Sequence, residues 1–200
     1  MRFQGWVLVP VVSAAALFML ACILVFEGVE EAGIRTCVRA SARASGLLFL
    51  LPFLASSLRR LWKHGITAWL LANRRYLGVS FAAVQFIHLG TLVALTALSG
   101  SVFEFTGSLA AGGLAYGFVA AMALTSTDRT AAWLKPARWR LLHTTGLYYL
   151  WIAFATTWAR DAARDPIAAA YTALFVLALL VRLGVGGPLS RSRRRSRSGS

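Results

Sequence analysis

Six apolar stretches, each close to the length that crosses a bilayer, leave this chain few folds to choose from. They cover roughly 6–26, 44–62, 76–98, 107–126, 139–158 and 166–184. A helix rising about 1.5 Å per residue needs about 20 apolar residues to cross a hydrocarbon core about 30 Å thick. With 58% hydrophobic residues, 14% charged residues and a mean hydropathy of +0.65 over 200 residues, a water-soluble domain would have no way to bury so much apolar surface. In lipid the backbone must satisfy its own hydrogen bonds, so only helices or closed barrels cross. Runs this continuous lack the alternation of barrel strands. The sequence therefore predicts an all-α, polytopic membrane protein: a bundle of six transmembrane helices.

Charge placement orients the bundle. Six crossings put both termini on one side. Sixteen of the 21 Lys and Arg residues fall there: Arg2, then Arg59, Arg60, Lys63, Arg74 and Arg75, then Arg129, Lys135, Arg138 and Arg140, then Arg182, Arg191, Arg193, Arg194, Arg195 and Arg197. Only Arg35, Arg39, Arg43, Arg160 and Arg164 fall on the other side. The positive-inside rule places both termini in the cytoplasm, with the chain a multi-pass protein of the cell inner membrane. Among the seven acidic residues, Glu27, Glu30, Glu31, Glu104, Asp161 and Asp165 read as lying toward the outer side. The net charge of +14 thus needs no nucleic acid to explain it. The tail 185–200, with Arg191-Ser192-Arg193-Arg194-Arg195-Ser196-Arg197, reads as a disordered polybasic flank drawn to anionic lipids, at about 1 kcal/mol per basic residue near the surface.

The first run continues through Cys22-Ile23-Leu24-Val25-Phe26 with no small-residue cleavage pattern after it, so it reads as a membrane anchor, not a signal peptide. Residues 1–43 form that helix and an outer loop, and 44–184 a helical bundle. Cys22 and Cys37 lack metal-site spacing. Pro136 and Asp165-Pro166 mark helix starts. Gly113 and Gly117 have the small-xxx-small spacing of close helix packing. Trp6, Trp62, Trp69, Trp133, Trp139 and Trp158 sit near span ends as an interfacial belt. No Gly-rich loop follows a strand, so the chain carries no NAD(P) or flavin fold of its own.

Two of the three histidines, His88 and His143, lie inside apolar runs, whereas His64 sits in a basic loop. An ionisable side chain at membrane depth is costly and marks a functional site by default, and imidazole is the usual protein ligand of haem iron. A hydrogen-bonded packing role, with Gln85, Thr91 or a neighbouring hydroxyl as partner, is the alternative for His88. Helix three meets His88 about twelve residues in, roughly 18 Å deep, and helix five meets His143 only about four residues in, roughly 6 Å deep. One upright haem between them is disfavoured. Two stacked haems need ligands 13 or 14 residues apart on each helix. Counting back from His88 gives Arg75 or Arg74, and counting on from His143 gives Thr156 or Thr157.

Arg74-Arg75-Tyr76-Leu77-Gly78 with His88, then Ala123-Leu124-Thr125-Ser126-Thr127, then Trp139-Arg140-Leu141-Leu142-His143 with Tyr148, resemble the ferric reductase-like transmembrane domain family over roughly residues 44–184. The nearest branch is the MsrQ type, the haem-binding membrane subunits of bacterial methionine-sulfoxide reductase systems. The resemblance implies haem b, one or two per chain, on His88 and His143, with Arg74 at the inner haem position. It also implies an electron-transfer subunit of an oxidoreductase, not a complete enzyme. A separate cytoplasmic donor or quinone would feed it, and a periplasmic oxidoreductase would accept from it. The chain departs from the family at Thr156 and Thr157, where a second His is usual. That departure keeps open another role, a ligand-poor membrane assembly or scaffold subunit. A transporter ranks lower, since no inverted repeat and no intramembrane carboxylate is visible.

Overall fold

The computed structural model describes residues 4–100 and 107–186, and every regular element among them is helical. A 3-10 turn, Gly5–Val7, leads into α1 (Leu8–Glu27). There follow α2 (Glu31–Leu61), α3 (Gly65–Ala72), α4 (Arg74–Ser99), α5 (Gly107–Leu124), α6 (Asp128–Ala131), α7 (Pro136–Asp161) and α8 (Pro166–Gly186). Glu104 and the tail beyond Gly186 lie outside the described residues, and with them the expectations placed there.

Local chemistry sets the helix ends. Gly28, at φ 82°, closes α1 with its N–H on Leu24 O. The chain turns so tightly there that a Cβ on Gly33 would run into the Gly28 carbonyl. Pro136 and Pro166 open α7 and α8, as the sequence indicates, because a first-turn residue needs no N–H partner. The basic stretch 62–75 is more than a loop. His64 caps α3: its Nδ1 accepts from Ile66 N–H at 3.2 Å, while Thr67 Oγ1 accepts from His64 N–H at 3.2 Å. The reciprocal pair is a capping box, which explains a helix in this stretch and makes the exposed His64 a helix cap.

One boundary and one packing contact differ from the sequence reading. The second helix begins at Glu31, so Arg35, Arg39 and Arg43 lie on α2 and not in a loop, and a division at residue 43 falls inside a helix. Hydropathy marks where a helix enters lipid, whereas the helix itself continues past that point. At 31 residues α2 is about 46 Å long, well beyond the hydrocarbon thickness. The second difference is at the glycines of α5. A Cβ on Gly112, Gly113 or Gly117 would meet nothing within 4 Å among the described residues. The close approach is instead at Gly146 of α7, where a Cβ would lie 2.5 Å from Met122 Sδ and 3.0 Å from Phe118 Cδ1 of α5.

Four helical stretches are long and apolar enough to cross a membrane: Gly5–Glu27, Glu31–Leu61, Arg74–Ser99 and Pro166–Gly184. Ala110–Leu124 is apolar but shorter. α7 has the length, at 26 residues, but His143, Thr144, Tyr148, Tyr149, Thr156 and Thr157 dilute its apolar character. The chain is therefore an all-helical membrane protein with four clear spanning candidates.

α2 is the central post, packing against α1, α3, α4 and α8, while α7 packs against α5 and α8. Phe49 of α2, 1% exposed, anchors the core, with ring contacts to Phe53, Phe81, Phe154 and Phe175 at 5.4–6.1 Å. Cross-links gather the start of α1, the end of α2, the start of α4, the end of α5, the start of α7 and the end of α8 at one end of the bundle. Gly5 N–H donates to Asn73 Oδ1 at 3.0 Å, Arg74 Nη1 to Ser56 Oγ at 3.2 Å, and Trp139 Nε1–H to Thr125 O at 3.0 Å. Arg182 donates to Phe53 O at the same end.

Candidate functional site

These cross-linked helix ends line a partly open cavity of about 580 Å³. That lies within the about 300–1,000 Å³ usual for small-molecule and cofactor sites. Its wall is apolar on one part, with Phe49, Phe81, Val119, Met122, Leu147 and Leu150, and basic on another, with Arg74, Arg75, Arg140 and Arg182. His143 and Thr144 of α7 also line it, as do Thr125 and Ser126 at the end of α5. Among the described residues, Asp128 is the only acidic one on its wall. Arg75 takes that carboxylate at 2.7 Å, donates to Ser126 O as well, and lies 5.8 Å over the Trp6 ring.

His143 is the imidazole of this cavity. Trp139, four residues earlier and so on the same helix face, stacks on it with centroids 4.1 Å apart and planes 26° apart. His143 Nε2 lies 3.1 Å from Thr125 Oγ1. The Thr125 hydroxyl donates to Ala121 O at 2.7 Å, so its oxygen receives the imidazole N–H, which assigns the Nε2–H tautomer to His143. Nδ1 keeps its lone pair.

His88 is placed elsewhere. It is half-buried between α4 and α2, does not line the cavity, and has Nδ1 2.9 Å from Ser41 Oγ. Ser41 is 1% exposed and its hydroxyl donates to Cys37 O at 2.7 Å, while Thr91 donates to His88 O at 2.8 Å. By the same reasoning the Ser41 oxygen receives Nδ1–H, and Nε2 of His88 carries the free lone pair. Gln85 is not its partner, since its side-chain N–H donates to Tyr116 OH at 3.2 Å. Thr156 and Thr157 are exposed, with hydroxyls turned back onto Ile152 O at 2.8 Å and Ala153 O at 2.7 Å.

The structure thus brings Arg74 and His143 to one cavity and leaves His88 and both threonines outside it. No cluster of three or more His, Cys, Asp or Glu suited to a metal ion occurs among the described residues. Cys22 and Cys37 are free thiols.

Two cavity residues escaped the sequence reading. Trp139 was assigned to the interfacial belt, although its i, i+4 spacing to His143 is a readable sign of stacking. Arg182 was counted only as a cytoplasmic charge. That it folds against Phe53 and Tyr148, with its guanidinium carbon 4.6 Å and 5.4 Å from their ring centroids, depends on tertiary packing and leaves no local signature. No protein-family model matches the chain, and no curated protein or solved structure shows significant similarity to it.

Proposed function

We propose that this chain is a membrane subunit that holds one b-type haem in the arginine-lined cavity and serves electron transfer to a redox partner. The observation that carries the proposal is the convergence of His143, Arg74, Arg75, Arg140 and Arg182 on one cavity with an apolar wall. These residues fit such a group: an imidazole for iron, an apolar wall for the macrocycle, and guanidinium groups for its carboxylates. When bound, haem supplies one-electron redox chemistry. The protein's part is to hold it, with His143 oriented by the Trp139 stack and the Thr125 hydroxyl. Iron ligation would use Nδ1, the nitrogen that the Thr125 bond leaves with its lone pair.

Within this reading six helices cross the inner membrane, α5 and α7 being the two less apolar members. The arginine-rich end faces the cytoplasm, in keeping with the positive-inside distribution. A cytoplasmic protein or a quinone donates electrons at that end, and a periplasmic oxidoreductase accepts them. The resemblance of the Arg74–Tyr76, Thr125–Thr127 and Trp139–His143 segments to ferric reductase-like domains supports the same reading. A second haem on His88 has less support, because that residue lies away from the cavity and no ligand-bearing side chain of α7 stands at Thr156 or Thr157.

One observation favours a second reading. The Nε2 atom of His143 is already hydrogen-bonded and its ring stacked, as in a packing histidine of a non-enzymatic membrane assembly subunit. Haem quantitation with a reduced-minus-oxidised spectrum of the purified chain separates the two: a pigment with a Soret band supports the first, and a colourless protein from haem-replete cells the second.

A further inference from the structure

The spanning candidates α2 and α4 end at Leu61 and begin at Arg74, so the elbow that joins them stands at the boundary of the bilayer. The elbow is folded, with α3 at its centre, and its joints are firm. Thr67 Oγ1 donates to Trp62 O at 2.6 Å, and Arg59 Nη1 donates to His64 O at 3.4 Å. Thr67, Leu70 and Asn73 are buried against the bundle. Held in this way, the elbow presents a fixed outer face.

That face carries large apolar and basic side chains together. Leu61, Trp62 and Ile66 are 60%, 59% and 62% exposed. Arg60 and Lys63 are exposed among them, and the Trp62 ring stacks on His64 with centroids 4.8 Å apart. At the end of a span, exposed tryptophan and isoleucine enter the acyl boundary, and lysine and arginine beside them reach the depth of the lipid phosphates. No acidic residue balances these cations. The sequence has no Asp or Glu between Glu31 and Glu104, and the ion pairs among the described residues use Arg35, Arg43 and Arg75. The other half of α2 differs, since Arg35 and Arg43 there are paired with Glu31 and Asp165. Apolar anchors beside uncompensated cations suit a lipid surface of net negative charge.

We propose that the α2–α3 elbow binds anionic phospholipid, with Arg60 and Lys63 at the headgroup phosphate and Trp62 and Ile66 among the upper acyl carbons. Net headgroup charge decides the choice, so the elbow takes phosphatidylglycerol over phosphatidylcholine. Leu71 and Ala72, at the far end of α3, line the cavity, so the bound lipid steadies part of its wall. The site stands apart from the haem reading and from the basic tail.

The test is photo-crosslinking in vesicles of equal phosphatidylglycerol and phosphatidylcholine, each lipid carrying a trace of its diazirine analogue. The full chain is illuminated, and adducts are mapped by peptide mass spectrometry, with the tail scored separately. Each basic residue near a charged surface is worth about fivefold in affinity, so phosphatidylglycerol adducts on residues 59–72 should outnumber phosphatidylcholine adducts by at least about fivefold. Arg60→Gln with Lys63→Gln should bring that ratio to about twofold or less, whereas Arg60→Lys should keep it, because charge decides. Arg59 is left in place, since it holds the His64 carbonyl. Should the double variant misfold, the same loss is read on the unaltered chain in 1 M salt, where the screening length falls to about 3 Å. Equal adducts of the two lipids on residues 59–72 overturn the proposal, as does a preference that survives both the double variant and high salt. An elbow that takes no lipid adducts while the spans do also overturns it, and marks the face as one covered by protein or water.

Discussion

Gly146→Ala tests the seam between α5 and α7, which forms part of the cavity wall. The added Cβ would sit 2.5 Å from Met122 Sδ and 3.0 Å from Phe118 Cδ1. Two effects oppose each other. Alanine gains about 1 kcal/mol over glycine in helix propensity. Overfilling a packed interior costs about 1–3 kcal/mol. Met122 is flexible and can move its sulfur into the adjoining cavity. The Phe118 ring has less freedom, since it packs on Tyr149 with centroids 5.2 Å apart. The net expectation is a loss of about 0–2 kcal/mol, read from reversible unfolding in mixed micelles. Met122→Ala removes the nearest obstacle, so in the double variant Gly146→Ala should become neutral or stabilising, with a coupling of at least about 0.5 kcal/mol. A Gly146→Ala chain stabilised by about 1 kcal/mol, with no dependence on residue 122, would show that α5 does not approach α7 at this point.

Other expectations follow from single contacts. Ser41→Ala removes the acceptor of His88 Nδ1–H, so ¹⁵N spectra of histidine-labelled protein should show His88 moving from the Nδ1–H toward the Nε2–H tautomer; a wild-type His88 already in the Nε2–H form refutes the assignment. Asp128→Asn should leave stability unchanged and insensitive to salt, because the carboxylate is 97% exposed. Arg75→Gln should destabilise measurably more than Asp128→Asn, since Arg75 also holds Ser126 O and covers Trp6. Equal effects of the two changes would mean that the ion pair is the whole of the Arg75 contribution.

The fold class was legible because bilayer thickness dictates the length of an apolar run, and α1, α4 and α8 fall within a few residues of the stretches read from hydropathy. α2 was harder. Its first half carries Arg35, Arg39 and Arg43, and a polar helix above the membrane has the same composition as a loop. α3 was missed because its capping box uses His64, an uncommon cap, in a stretch whose charges suggest solvent. At the site, depth counting set His88 and His143 apart, and the structure puts His143 and not His88 on the cavity wall. The count also placed Arg74 at the level of His143, and both line the cavity. What depth counting lacks is rotation about the helix axis relative to its neighbours. That is why Ser41 as the partner of His88, Thr125 as the partner of His143, and Arg182 against Phe53 needed the structure. The small-xxx-small pattern of α5 failed for a related reason: spacing shows that close packing is possible on a face, and a neighbour must still occupy it.

The most direct test of the central claim is haem stoichiometry in the purified chain and two variants, made under haem-replete conditions and read by reduced-minus-oxidised spectra with pigment quantitation. One haem per chain, lost in His143→Ala and retained in His88→Ala, is the predicted result. A chain without haem, or one whose haem survives His143→Ala unchanged, would contradict it.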